Sequence, residues 1–191
     1  MRAAFLALAL IATPVVAQAP ATVPSGTYNV DLGHTQVLFT VMHLGISEYT
    51  GQFTQPTGTM TLDTANPANS KVEVTFPIAK ISTTVPALDA HLKSADFFDA
   101  AKFPEGKFVS TKVVVNGTNA TITGDLTLKG VTKPVVLQAH LTGSGAPMGK
   151  KVNVGFAATT IVKRSDFGIS FGIPMVSDEV KLTINAAFAQ Q

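Results

Sequence analysis

Residues 35–43 read TQVLFTVMH, and the alternation in that stretch decides the fold class. Val37, Phe39, Val41 and His43 fall on one side of an extended chain, and Gln36, Leu38, Thr40 and Met42 on the other. Successive strand side chains face opposite ways, so the stretch reads as a strand whose apolar face ends in an imidazole. His34 stands just before it. Such a wall suits a packed core or a pocket for an amphiphile.

The same period recurs along the chain. Val72, Val74, Phe76 and Ile78 alternate with Lys71, Glu73 and Thr75. Gly58, Met60 and Leu62 alternate with Thr59 and Thr61, and Ala120, Ile122, Gly124, Leu126 and Leu128 with threonines and Asp125. Later runs place Val135, Leu137, Ala139 and Leu141, then Val152, Val154, Phe156 and Ala158, then Val180, Leu182, Ile184 and Phe188 in phase. Asn116-Gly117 predicts a hairpin between residues 109–116 and 119–128, because a type I′ turn needs two residues with positive φ. The phase of that hairpin's first arm is unreadable, since Val and Thr fill both faces. Residues 44–50 read as a loop or a single helical turn, and 143–145 as a loop. Residues 88–93 and 95–99 read as short helical turns, the second capped by Ser94. Roughly eight or nine short strands with one helical insertion predict an all-β sandwich or up-and-down barrel.

Composition narrows the reading. Charged residues are only 14% of the 191-residue chain, and the net charge is +2. There is no basic run longer than Lys150-Lys151, so nothing suggests a nucleic-acid partner. Arg2, the apolar run 3–12 and the small residues Val15-Val16-Ala17 predict an export signal over 1–17. A Pro/Ala/Thr linker over 18–26 and one β domain over 27–191 follow. The apolar run is too short to span a membrane as a helix. The chain has no Cys, so neither a lipid-modified cysteine nor a disulfide is available. A bacterial periplasm is the expected compartment. An outer-membrane barrel would turn its apolar face to lipid between aromatic girdles. Trp is absent and Tyr occurs twice, so the apolar face is expected inside. A small barrel either fills with side chains or holds one ligand. Rows of Val, Ile, Leu and Phe with Ala and Gly between them allow both.

Four groups of residues together resemble the YceI-like family of exported polyisoprenoid-binding proteins. They are Tyr28-Asn29-Val30-Asp31 with His34-Thr35, Phe39, Val41, His43 and Gly51-Gln52-Phe53; Asp89-Ala90-His91-Leu92 with Asp96-Phe97-Phe98-Asp99 and Phe103-Pro104; Gly124 to Val135; and Arg164-Ser165-Asp166-Phe167-Gly168. The resemblance covers nearly all of the chain after the signal. It departs at Thr35, where a Ser is expected, and at Ala90, where a charged residue is commoner. The resemblance implies a lipocalin-like antiparallel barrel of about eight strands with a long apolar pocket for an isoprenoid or fatty-acid-like amphiphile, and no catalytic residues.

The inward rows then supply the expected pocket wall: Val37, Phe39, Val41, Phe53, Met60, Leu62 and Val72 on the first half of the chain. Val74, Phe76, Ile78, Ile122, Leu126, Val154 and Phe156 complete it. His34 and His43 are candidates to meet a head group. So is Arg164, which is also expected to form a rim ion pair with Asp166, because a planar guanidinium binds oxyanions in bidentate fashion.

No metal site or cofactor is expected, since His91 and His140 have no ligand spacing to the first pair. Gly168-Ile169-Ser170-Phe171-Gly172 matches a serine-hydrolase pattern, but that pattern needs a strand-to-helix elbow, and Pro174 follows at once. Asp89, Asp96 and Asp99 read as turn and helix-start residues, and Asn116 and Asn119 as turn chemistry rather than glycosylation sites. The expected function is a periplasmic carrier for an amphiphile. The alternatives are a hydrolase or isomerase of lipidic substrates, or a ligand-free stress-related interaction protein. A homodimer is compatible with this sequence.

Overall fold

The computed structural model describes residues 23–149 and 151–191. The expected signal and the first part of the linker lie outside them. Among the described residues eleven strands form one sheet. They are β1 (Gly26–Val30), β2 (Gln36–His43), β3 (Ser47–Phe53), β4 (Thr57–Leu62), β5 (Lys71–Pro77), β6 (Ile81–Ser82), β7 (Glu105–Asn116), β8 (Asn119–Leu128), β9 (Val131–Gly145), β10 (Asn153–Lys163) and β11 (Glu179–Gln190). An α-helix, α1 (Pro86–Lys93), follows β6.

Eight of the strands close an antiparallel barrel in the order β1-β4-β5-β7-β8-β9-β10-β11, with β11 returning to β1. Closure removes the edges that an open sheet would leave unpaired. β11 is long enough to serve two partners. Its end, through Phe188–Gln190, pairs with β1, and its middle, Lys181–Asn185, pairs with β2. β2, β3 and β6 extend the wall from there, and α1 follows at that end. The count exceeds the eight or nine strands read from the sequence because one wall is built from interrupted strands, split at the 3₁₀ turns Leu32–His34 and Ile78–Lys80.

Several local expectations change. Of residues 44–50 only Leu44–Ile46 form a turn, since 47–53 are strand, and β9 runs through Gly145, so 143–145 are not a loop. The β7–β8 hairpin turns on Gly117-Thr118, since Asn116 pairs with Asn119. Gly117 alone has positive φ (59°), which is the type II′ pattern with glycine first. The first arm was unreadable because a β-bulge between Ser110 and Lys112 shifts its phase. Phe108 is buried before the bulge and Val113 after it. Ser94 ends α1, where its hydroxyl donates to the His91 carbonyl, and it does not cap a second helix.

The two ends of the barrel differ. At the end where β1 joins β11, Tyr28, Met60, Val154 and Phe188 pack into a buried cluster. Tyr28 is fully buried, and its hydroxyl donates to the Pro24 carbonyl at 2.6 Å. Burial raises the pKa of that phenol. The other end carries α1, residues 94–104, the β2–β3 turn and the long connection between β10 and β11.

Candidate ligand cavity and its mouth

A cavity of about 800 Å³ occupies the barrel interior. It lies within the range of small-molecule sites. The reason it stays unfilled is visible at three glycines. The ring of Phe39 lies over Gly51, that of Phe76 over Gly106, and that of Phe108 over Gly124, each on the neighbouring strand. A Cβ on any of these glycines would come within 2.2–2.4 Å of the ring. With no side chain there, each large ring lies flat along the wall and does not project into the lumen. Phe39, Phe53 and Phe76 then form a continuous aromatic row, with centroid separations of 5.3 and 4.7 Å, and Phe98 closes on Phe53 at 5.7 Å.

Most of the wall expected from the sequence lines this cavity. Val37, Phe39, Val41, Phe53, Met60 and Val72 do so, as do Val74, Phe76, Ile122, Leu126 and Phe156. Three do not. Ile78 follows Pro77 into a 3₁₀ turn, where strand alternation stops, and is buried in the core. Val154 and Leu62 belong to the Tyr28 cluster that stops the cavity's far end. Several lining residues escaped the sequence reading. Phe108 was hidden by the bulge, while Phe97, Phe98, His91, Ile169 and Phe171 come from irregular or helical segments that carry no period.

The three head-group candidates separate. His43 lines the mouth of the cavity. His34 does not: its ring bonds Asp31 at 2.8 Å from the Leu32–His34 turn, with the side chain 77% exposed. Arg164 touches the cavity but is only 7% exposed, and its guanidinium is already engaged. Nε donates to the Ser177 carbonyl, Nη1 to those of Ile169 and Phe171, and Nη2 to that of Val176, all at 2.8–3.0 Å. Four of the five guanidinium donors hold the connection 169–177 in place, so Arg164 is a strut for the mouth. The expected ion pair with Asp166 is absent. The nearby carboxylate is Asp178, which accepts from the Ser165 amide and hydroxyl. Those bonds, with the charges of Arg164 and Lys163, hold the Asp178 carboxyl below its ordinary pKa. Burial lowers the Arg164 pKa, and Asp178 opposes that shift.

The Gly168–Gly172 segment is part of this strut, not a nucleophile elbow. Both glycines have positive φ, 69° and 76°, and Arg164 binds the carbonyls between them. His91, with no role assigned from the sequence, stands at the mouth. Its Nε2 meets Asp96 Oδ2 at 2.9 Å, and its ring stacks edge-on against Phe97 and Phe171. Among the described residues no group of three or more His, Asp or Glu side chains could hold a metal ion. No helix among them is long and apolar enough to cross a membrane.

Residues 28–188 match the YceI-like domain. The chain belongs to the YceI-like family. It is 45% identical over 159 residues to the protein YceI of Escherichia coli O157:H7, covering 83% of each chain. The crystal structure of the Campylobacter jejuni YceI protein superposes with a TM-score of 0.71 at 32% identity, over 78% of this chain and 90% of that one. A polyisoprenoid-binding domain from Saccharophagus degradans shares the fold, with a TM-score of 0.65 at 14% identity, over 86% and 98%. The YceI-like barrel here, with its apolar interior, is consistent with a protein that holds a hydrophobic ligand.

Proposed function

We propose that the protein is an exported carrier that holds one isoprenoid or fatty-acid-like amphiphile. The tail lies along the lumen toward Tyr28, and the head stays at the mouth near His43. The observation that carries this reading is the cavity itself: about 800 Å³, walled by aliphatic and phenylalanine side chains. Burying each CH₂ contributes roughly 0.8 kcal/mol. A tail of about ten carbons therefore offsets an association cost of several kcal/mol without any strong polar contact. With His34 turned outward and Arg164 occupied, head-group chemistry contributes little, and selectivity follows tail length and shape.

The binding described for the Saccharophagus domain favours an isoprenoid, and the basic and apolar pattern of residues 1–17 favours a periplasmic location. Catalysis has less support. No Asp or Glu among the described residues lines the cavity, and the imidazoles that do, His43 and His91, stand at its mouth. Purified protein extracted with organic solvent should release about one equivalent of a long-chain amphiphile, identified by mass spectrometry. A protein that neither yields a lipid nor takes up a fluorescent fatty acid would sink the carrier reading, and turnover of an ester panel would replace it with an enzyme.

A further inference from the structure

The mouth has a second property that ligand binding alone does not need. Three stretches of its rim, residues 43–47, 82–88 and 169–177, contain no Asp, Glu, Lys or Arg, while the remaining side, α1 with residues 94–104, carries Asp96 against His91. Charged residues are 14% of the chain, and the barrel's outer faces use them, as in the Lys107–Glu73 pair. The rim instead exposes large apolar groups. Leu44, Val85, Phe171 and Met175 both line the cavity and stand about half exposed or more, while Ile46 is 84% exposed and touches no part of the lumen. The apolar surface thus runs without a break from inside the cavity onto the outside of the protein.

This rim is held in one shape. The Leu44 amide donates to the Met175 carbonyl at 2.6 Å, the Ser177 amide to the Met42 carbonyl at 2.9 Å, and His43 bridges Val176. Arg164 fixes the same connection from below. Leu44 keeps a left-handed backbone, φ 56°, in a three-residue turn where Asn or Gly would sit at lower energy. Turn chemistry does not account for a leucine there or for an isoleucine in water two residues later.

We infer that the charge-free side of the rim, residues 43–47, 82–88 and 169–177, docks on the surface of a lipid bilayer, where the mouth opens against the membrane to take up or deliver its amphiphile. Exposed apolar patches of this kind mark interaction sites. A bilayer is the phase from which such a ligand comes. Crossing water between bilayer and cavity would expose the whole tail, at roughly 0.8 kcal/mol per CH₂. A rim face without fixed charge enters the interface without the cost of desolvating ions. The inference rests on the carrier reading, and its test separates the two.

The test compares the wild type with Ile46→Asp, a change outside the cavity and on a turn tip. Flotation with phosphatidylcholine vesicles, with and without phosphatidylglycerol, should show the wild type bound to both compositions and still bound in 0.5 M salt (about 4 Å screening length). Ile46→Asp should lower the bound fraction about tenfold or more, since it removes a large apolar side chain and adds a charge. It should slow extraction of a fluorescent prenyl alcohol from the vesicles equally. Uptake of a fluorescent fatty acid from vesicle-free buffer should be unchanged by the substitution. Intact uptake with no vesicle binding overturns docking and leaves the carrier standing, whereas absent uptake fails the carrier first. Binding that salt abolishes and Ile46→Asp spares overturns the apolar rim as the contact. So does a wild-type dimer that Ile46→Asp converts to monomer, because a second copy would then cover the rim.

Discussion

The barrel's two ends are built from similar residue types to opposite effect. At the far end Tyr28, Met60, Val154 and Phe188 pack on one another and are buried. At the mouth Phe97, Phe171 and His91 meet ring to ring at 5.0–5.3 Å, yet line an open cavity and face solvent. The difference lies in what holds the backbone. The far end is strand paired to strand, β1 to both β4 and β11, so side chains are forced inward from all sides. The mouth is irregular chain held by a few polar struts, Arg164 above all, which fix loops without filling the space between them. Apolar residues seal a barrel where the sheet closes, and line an entrance where loops stand apart.

The contrast can be broken at either end. Tyr28→Ala should have the largest effect. It removes a fully buried ring and should cost about 3–5 kcal/mol, read from urea unfolding. Tyr28→Phe loses only the bond to Pro24 and should cost about 1 kcal/mol. If the two variants cost the same, the far end is held by the hydroxyl and not by packing.

Arg164→Ala comes next, at about 3 kcal/mol, because buried carbonyls lose a charged donor. Its signature should be local. Amide exchange should speed up in residues 169–177 well before the strands, and Arg164→Lys should restore only part of the protection, having no planar fork. Uniform exchange across the chain would show that the strut serves the whole barrel.

Gly106→Ala tests the wall between the ends. The new Cβ would stand 2.2 Å from Phe76 and must turn that ring into the lumen. The expected cost is about 1–3 kcal/mol. Affinity for long-chain amphiphiles should fall more than affinity for short ones, measured by displacement of a fluorescent fatty acid. Equal loss for all lengths would place the ligand elsewhere.

The smallest effect is expected for Asp178→Asn, and only as a function of pH. The fold holds the Asp178 carboxyl below its ordinary value through bonds from Ser165. Its contribution is therefore present above the unfolded carboxylate pKa, about 3.9, and is lost as pH falls through the folded value. Urea midpoints of the wild type should approach those of Asp178→Asn as the pH drops from about 6 to below 3. A constant gap would mean that charge at Asp178 is irrelevant to the mouth.

Much of this architecture was legible in the chain, for a physical reason. A strand's two-residue period is local, so Val37-Phe39-Val41 and Val72-Val74-Phe76 announce their lumenal face wherever the strands lie. The alternation, the hairpin near Gly117 and the resemblance of residues 28–135 and 164–168 together point to an all-β barrel. Local pattern failed where the chain departs from its period. The bulge at Thr111 hid Phe108, the turn after Pro77 withdrew Ile78 from the lumen, and α1 and its loops carried His91, Phe97 and Phe171 without any alternation.

The sequence by itself determined most of the apolar wall from its alternation, and a barrel through the family its motifs resemble. Only the tertiary structure decided that the barrel is hollow. That depended on glycines 51, 106 and 124 lying under phenylalanine rings from neighbouring strands, a matter of register between strands. The tertiary structure likewise decided that Arg164 braces a loop instead of greeting a ligand, because its four carbonyl partners come from residues 169–177 folded back around it. A donor's chemistry is written in the chain; the acceptors it will meet depend on how the chain returns to it.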